Sequence, residues 1–135
     1  MADREQTRRK CRVLIVENYD GLGTFLASAL KDAGYHAAVA ENGMQARSLA
    51  VRNIDVALVD AVLPGESGTS LAEFFSANAV PVVMMSGDQR VIENAGACRY
   101  PFLAKPFSIA RLKATLKDVI AAQPAAPGEV ASFDI

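Results

Sequence analysis

The sequence has no tryptophan, a single histidine and only two cysteines among its 135 residues. Cys11 and Cys98 are too few and too far apart for a disulfide framework or a metal-ligand spacing. They read as small apolar residues, and a reducing, cytoplasmic setting is the expectation. No apolar run approaches the roughly 20 residues needed to span a bilayer. The longest, residues 79–85, is interrupted by Pro81 and suits a buried strand. The opening MADREQTRRKCR is charged and lacks an apolar core, so it does not read as a secretory signal. No sign of charge dominates: 14 Lys and Arg stand against 15 Asp and Glu, for a net charge of −1. With 51% hydrophobic residues, that balance excludes disorder for the chain as a whole. The GLG at positions 21–23 lacks the spacing of a dinucleotide fingerprint, and no phosphate-cradling G-x-x-x-x-G-K-[ST] occurs.

What is present is a chain of common domain size, able to bury a full core. Residues 1–11 read as a basic N-terminal tail, 12–122 as one folded domain and 123–135 as a flexible Pro- and Ala-rich tail. Residues 1–12 carry Arg4, Arg8, Arg9, Lys10 and Arg12 against Asp3 and Glu5, or +3. A small nucleic-acid or membrane contact is conceivable there, but a solvated, frayed terminus is the expectation.

Between the tails, strand and helix signals alternate. Arg12–Val16 is continuously apolar after its first residue, as in strands buried on both faces. Asp20 is expected to cap a helix to about Ala33, with Leu22, Phe25, Leu26, Ala29 and Leu30 inward and Gly34 as its stop. His36–Ala40 is a weak second strand. Asn42 can cap the next helix, with Ala46, Leu49 and Ala50 inward. Val56–Val59 is a third strand, ending on Asp60. LPGESG at 63–68 is turn chemistry. A helix over about 69–77 follows, then a strand at 80–85 and a short, polar helix over 88–94. Phe102–Ala104 is the fifth strand, and Ser108 caps a final helix to about Ala122. Five strands alternating with five helices predict an α/β fold: a five-stranded parallel sheet covered on both sides, doubly wound.

In such a sheet, ligands bind outside the carboxyl ends of the strands. Those ends here carry Glu17 and Asn18, Asp60, Ser86 and Gly87, and Lys105 and Pro106. Two carboxylates suit a hard cation such as Mg²⁺. The Lys105 ammonium and the Ser86 hydroxyl can each hold an anionic oxygen. Together they suit the receipt of a phosphoryl group, with Asp60 as nucleophile forming an acyl phosphate. Singly, each residue is more ordinarily a turn, a cap or a solvated charge. Four strand ends together are much harder to explain that way.

The segments RVLIVEN (12–18), DVALVDAVLPGESG (55–68), VPVVMMSG (80–87) and FLAKPF (102–107) resemble the receiver domain of two-component response regulators. The resemblance covers about residues 12–122. It implies a flavodoxin-like fold of strand order 2-1-3-4-5, and phosphorelay signalling in place of classical enzyme activity. It also implies Asp60 as phosphoacceptor and Glu17 as the first of an acidic pair that organises Mg²⁺. Val62 would supply a backbone carbonyl to the metal. Ser86 and Phe102 would be the switch residues, Lys105 the phosphoryl-contacting lysine, and Pro106 would follow a cis peptide bond. The chain leaves no room for an output domain, so a stand-alone receiver is expected. Partners would be a histidine kinase or phosphotransferase and a downstream protein, with neither nucleic acid nor membrane insertion.

Two departures stand out. Asn18 occupies the second acidic position, where an amide oxygen brings no charge and weaker Mg²⁺ binding is expected. The fourth-helix region is compact and polar. With Pro81 and Ser86-Gly87 it resembles in part a receiver subgroup paired with HWE/HisKA2-type kinases. The competing expectation is a pseudo-receiver adaptor that binds partners without productive phosphorylation.

Overall fold

A computed structural model describes residues 10–50 and 53–122. The expected tails lie almost wholly outside the described residues, as does the side chain of Ala50. The elements are β1 (Arg12–Val16), α1 (Leu22–Asp32), β2 (His36–Ala40), α2 (Gly43–Ala50), β3 (Val56–Asp60), α3 (Gly68–Ala77), β4 (Val82–Ser86), α4 (Gln89–Glu93), β5 (Phe102–Ala104) and α5 (Ile109–Ala121). The strands form one parallel sheet in the order β2-β1-β3-β4-β5. β3 and β4 are buried at every position, because helices cover both of their faces.

The sheet divides the core in two. Val13, Ile15, Leu58, Val83 and Met85 point to one face and pack with Leu26 and Leu30 of α1 and Leu112 and Leu116 of α5. Leu14, Val16, Val59 and Met84 point to the other and pack with Leu71 and Phe75 of α3. Each such fully buried side chain contributes about 1.5–3 kcal/mol relative to exposure.

The helix ends show what the local sequence can specify. Ser67, Asp88 and Ser108 cap α3, α4 and α5 through their side chains, and Asn42 Oδ1 accepts the Gln45 N–H at 2.9 Å to cap α2. α1 departs from expectation. Its N-cap is Gly21, at φ 79°, and Asp20 lies one residue outside. The cause is a turn in which Leu22 N–H donates to the Tyr19 carbonyl, which carries the chain through a left-handed residue that glycine supplies without strain. The inner face of α1 is therefore Gly23, Leu26, Ala27 and Leu30, and Phe25 is exposed, not inward. At the other end, Tyr35 N–H donates to Leu30 O and Gly34 N–H to Lys31 O around Gly34 at φ 100°, a Schellman stop.

Two further differences concern β3 and β4. The turn after Asp60 closes as a two-residue antiparallel pair, Val62–Leu63 with Glu66–Ser67. β4 begins at Val82 because Ala79 takes φ 63° to end α3, and Pro81 has no N–H for the ladder.

Candidate functional site

The parallel register brings the carboxyl ends of β1, β3, β4 and β5 to one edge. There Glu17, Asp60, Ser86 and Lys105 line an open cleft of about 440 Å³, bordered by Asn18 and Val62. Glu17, Asp60 and Ser86 are the three buried polar side chains of the described residues.

Lys105 joins the two carboxylates. Its Nζ donates to Glu17 Oε1 and to Asp60 Oδ2, each at 2.7 Å. The remaining carboxylate oxygens accept backbone N–H groups: Tyr19 N–H to Glu17 Oε2 at 3.0 Å and Val62 N–H to Asp60 Oδ1 at 2.9 Å. Both carboxylates are thus oriented before any ligand arrives. Burial pushes the Glu17 carboxyl above its ordinary value, aided by the Asp60 charge and opposed by the Lys105 and Tyr19 hydrogen bonds. For Lys105, burial disfavours the charged form, but bonds to two carboxylates outweigh it and hold the ammonium above its ordinary value. Lys105 is therefore a permanent cation at neutral pH.

Ser86 Oγ accepts the Asp88 N–H at 3.0 Å, which leaves its own O–H to donate. The carboxylate of Asp88 in turn accepts Arg90 N–H at 2.9 Å and so caps α4. Sequence reasoning placed Asp88 at the start of a helix but missed this link. The signal was an Asp two residues beyond the strand-end Ser, immediately before a helical run.

The loop after Asp60 is held from both sides. Glu66 makes a two-pronged ion pair with Arg47 of α2, at 2.8 and 2.9 Å. Gly68 lies so close to the Asp60 carbonyl and Ala61 that a Cβ would collide with backbone atoms. The second glycine of LPGESG thus fixes the position of the Asp60 backbone.

Phe102 is not brought into the cleft. It is half-buried and lines an adjacent cavity of about 650 Å³ with Met84, Val91 and Cys98. Asp88 borders both spaces. The Lys105–Pro106 peptide is cis, and Pro106 is exposed.

The donor set fits a hard divalent cation, since every candidate ligand is an oxygen: Glu17 and Asp60 carboxylates, the Asn18 amide and the Val62 carbonyl. It is an acid-poor set. Among the described residues no cluster of three His, Cys, Asp or Glu side chains occurs. With Asn at position 18, the candidate ligands include two carboxylates, Glu17 and Asp60, and Lys105 offsets one of their charges.

The profile of the response regulator receiver domain matches residues 13–117. The chain belongs to the response regulator receiver family. It is 33% identical over 130 residues to the phosphate regulon transcriptional regulatory protein PhoB of Pseudomonas aeruginosa, covering 87% of this chain and 57% of that protein. It is 35% identical over 116 residues to the sensory transduction protein RegX3 of Mycolicibacterium smegmatis, covering 78% and 50%. The chain thus spans about half the length of these curated relatives. A solved response regulator receiver domain (CheY-like) from Methylobacillus flagellatus superposes with a TM-score of 0.71 at 26% identity, covering 82% of this chain and 98% of that one. Receivers are signalling domains, not classical enzymes, and they act in phosphorelays. Among the described residues no helix is long and apolar enough to cross a membrane.

Proposed function

We propose that this receiver takes a phosphoryl group on Asp60 from a histidine kinase or a phosphotransferase. The observation that carries this is the Lys105 ammonium bonded to both Glu17 and Asp60, which holds two buried carboxylates at the mouth of a solvent-open cleft. An Asp60 oxygen attacks the phosphorus of a phosphohistidine. The P–N bond breaks as the new P–O bond forms, and the imidazole leaves with a proton. Lys105 stays protonated and follows the phosphoryl oxygens. Ser86, whose O–H is available, donates to another. Mg²⁺, held by Glu17, Asp60, the Asn18 amide oxygen and the Val62 carbonyl, would offset charge on the phosphoryl oxygens.

Moving the Ser86 hydroxyl toward the phosphoryl group breaks its bond to Asp88 N–H, so the change reaches α4. Phe102, beside the same cavity, gains room to reorient. The partner surface is then α4, β5 and α5, read by a downstream protein. A kinase of the HWE/HisKA2 type agrees with the short α4, which buries none of its residues.

A second reading is an adaptor that binds partners without productive phosphorylation. Asn18, with its missing charge, is the observation that favours it. Intact mass after incubation with a small phosphodonor and Mg²⁺, beside Asp60→Asn, decides between them. One added phosphoryl group in the wild type alone supports the switch. No adduct in folded protein at high Mg²⁺ supports the adaptor.

A further inference from the structure

The loop after Asp60 carries groups on which the site depends, yet its tip is poorly held by packing. Val62 N–H donates to Asp60 Oδ1 at 2.9 Å, and the Val62 carbonyl is one of the candidate metal donors. Val62 itself is 56% exposed. What supports it is the antiparallel pair, in which Val62 faces Ser67 and Leu63 faces Glu66 across a turn with Gly65 at φ 83°. Leu63 anchors one strand of that pair in the core. The other strand is anchored by Glu66, whose two carboxylate oxygens accept both prongs of the Arg47 guanidinium at 2.8 and 2.9 Å. Arg47 also lies over the Phe74 ring of α3, 5.2 Å from its centroid, so the cation is directed from two sides. Gly43 is an independent sign that this pair matters. It opens α2 and its φ is not positive, so the backbone has no need of glycine there. In a helix, glycine is the poorest choice after proline. A Cβ at position 43 would fall on the Glu66 carboxylate and the Arg47 guanidinium. The missing side chain makes room for the ion pair.

We propose that Arg47 and Glu66 are positioning residues for Asp60. Their ion pair fixes the strand Glu66–Ser67, that strand fixes Val62, and Val62 holds the Asp60 carboxylate and presents its own carbonyl beside it. The inference rests on Asp60 being the phosphoacceptor. α2 contributes no side chain to the cleft, so its influence on the chemistry runs through this pair. A part-exposed ion pair adds little to stability, whereas a small misplacement of a reacting group is costly in rate. The pair therefore acts on the reaction far more than on the fold.

The test compares the wild type with Arg47→Gln, Glu66→Gln, their double variant and Gly43→Ala. Three quantities are read: solvent exchange of the Val62 amide in ¹⁵N-labelled protein, the rate at which acetyl phosphate labels Asp60 at saturating Mg²⁺, and the urea midpoint. Each single variant should speed Val62 exchange and slow labelling, both by about ten-fold. The double variant should do no worse than either single one, because both remove the same interaction. Gly43→Ala keeps both charges and favours the helix, so it should slow labelling with a urea midpoint no lower than the wild type's. A purely stabilising pair cannot give that combination. Unchanged Val62 exchange or an unchanged labelling rate in the Arg47 and Glu66 variants overturns the proposal. So do additive losses in the double variant, or labelling that falls only in step with the fraction unfolded. A wild type that gains no phosphoryl group strikes the reading of Asp60 instead, and Val62 exchange then decides by itself whether the pair holds the loop.

Discussion

The two edges of the sheet are built on opposite electrostatic plans. At the carboxyl edge, charge is buried and fixed: Glu17 and Asp60 are only 3% and 7% exposed, and Lys105 bonds both. At the amino edge, Lys10, Arg12, Lys31 and His36 are exposed around a cavity with apolar walls. The backbone differs in parallel. The left-handed residues of the carboxyl-edge loops are Gly21 and Gly65, whereas the amino-edge loops place Asn53 and Ala79 in that region beside Gly34. A buried, pre-oriented ion cluster tolerates few changes. An exposed cation cluster tolerates many, because solvent screens each member. The same sheet therefore carries one edge specialised for chemistry and another that mutation can alter cheaply.

The largest effect should come from removing the cation that joins the buried carboxylates. Lys105→Met leaves Glu17 and Asp60 without it, which should destabilise the fold by about 2–3 kcal/mol at neutral pH. Phosphorylation of Asp60 should fall by about a hundred-fold, because the group facing the phosphoryl oxygens is lost. Urea unfolding and intact-mass time courses measure the two. Near-wild-type stability would mean that the carboxyl edge is as well screened as the amino edge. Gly68→Ala comes next. Its Cβ meets the Asp60 carbonyl and Ala61, which are backbone and cannot swing away. A loss of about 2 kcal/mol is expected, seen as a lower urea midpoint.

Asn18→Asp sharpens the comparison from the other side by adding charge to the cleft. The Mg²⁺ concentration for half-maximal phosphorylation should fall by about ten-fold. An unchanged titration would show that Asn18 does not limit metal binding. A smaller effect concerns pH. Folding raises the Glu17 pKa above 4.5, chiefly by burial. Between 4.5 and the raised value, the folded state binds the proton more tightly than the unfolded chain, so stability falls as pH rises through that window. Urea midpoints of the wild type should rise relative to Glu17→Gln as the buffer is taken down toward 4.5. A constant difference across that range would mean Glu17 titrates alike in both states.

Most of the fold was legible because its signals are local and redundant. Continuous apolar runs mark strands covered on both faces, and Asn42 and Ser108 sit where a cap is needed. The sheet order followed from the resemblance, and the strand-end rule then collected Glu17, Asp60, Ser86 and Lys105 at one edge. What was not legible depends on backbone paths set by neighbours. Asp20 looks like a cap, but the Tyr19–Leu22 turn passes the role to Gly21. Phe25 has the spacing of an inner-face residue, yet Gly23 packs close against Val39 and turns Phe25 outward. The Asp88 link to Ser86 uses a backbone N–H, so the spacing of Ser86 and Asp88 points to it only once the helix start after the strand is known.

Ala79 is the finest probe of the amino edge. Its neighbours make the same stop as at Gly34: Val80 N–H donates to Phe75 O, and Ala79 N–H to Ser76 O. The geometry forces φ 63° on a residue with a Cβ. Such a residue costs about 1–2 kcal/mol more than glycine would in the folded state. Glycine in turn loses more backbone entropy on folding, by about 0.5–1 kcal/mol. The difference favours Ala79→Gly by about 0.5–1 kcal/mol, readable as a higher urea midpoint with unchanged slope. Gly34→Ala, at the matching stop of α1, should move the midpoint the opposite way. Were both substitutions to destabilise, Ala79 would be held without strain, and the amino edge would be as exactingly built as the carboxyl edge.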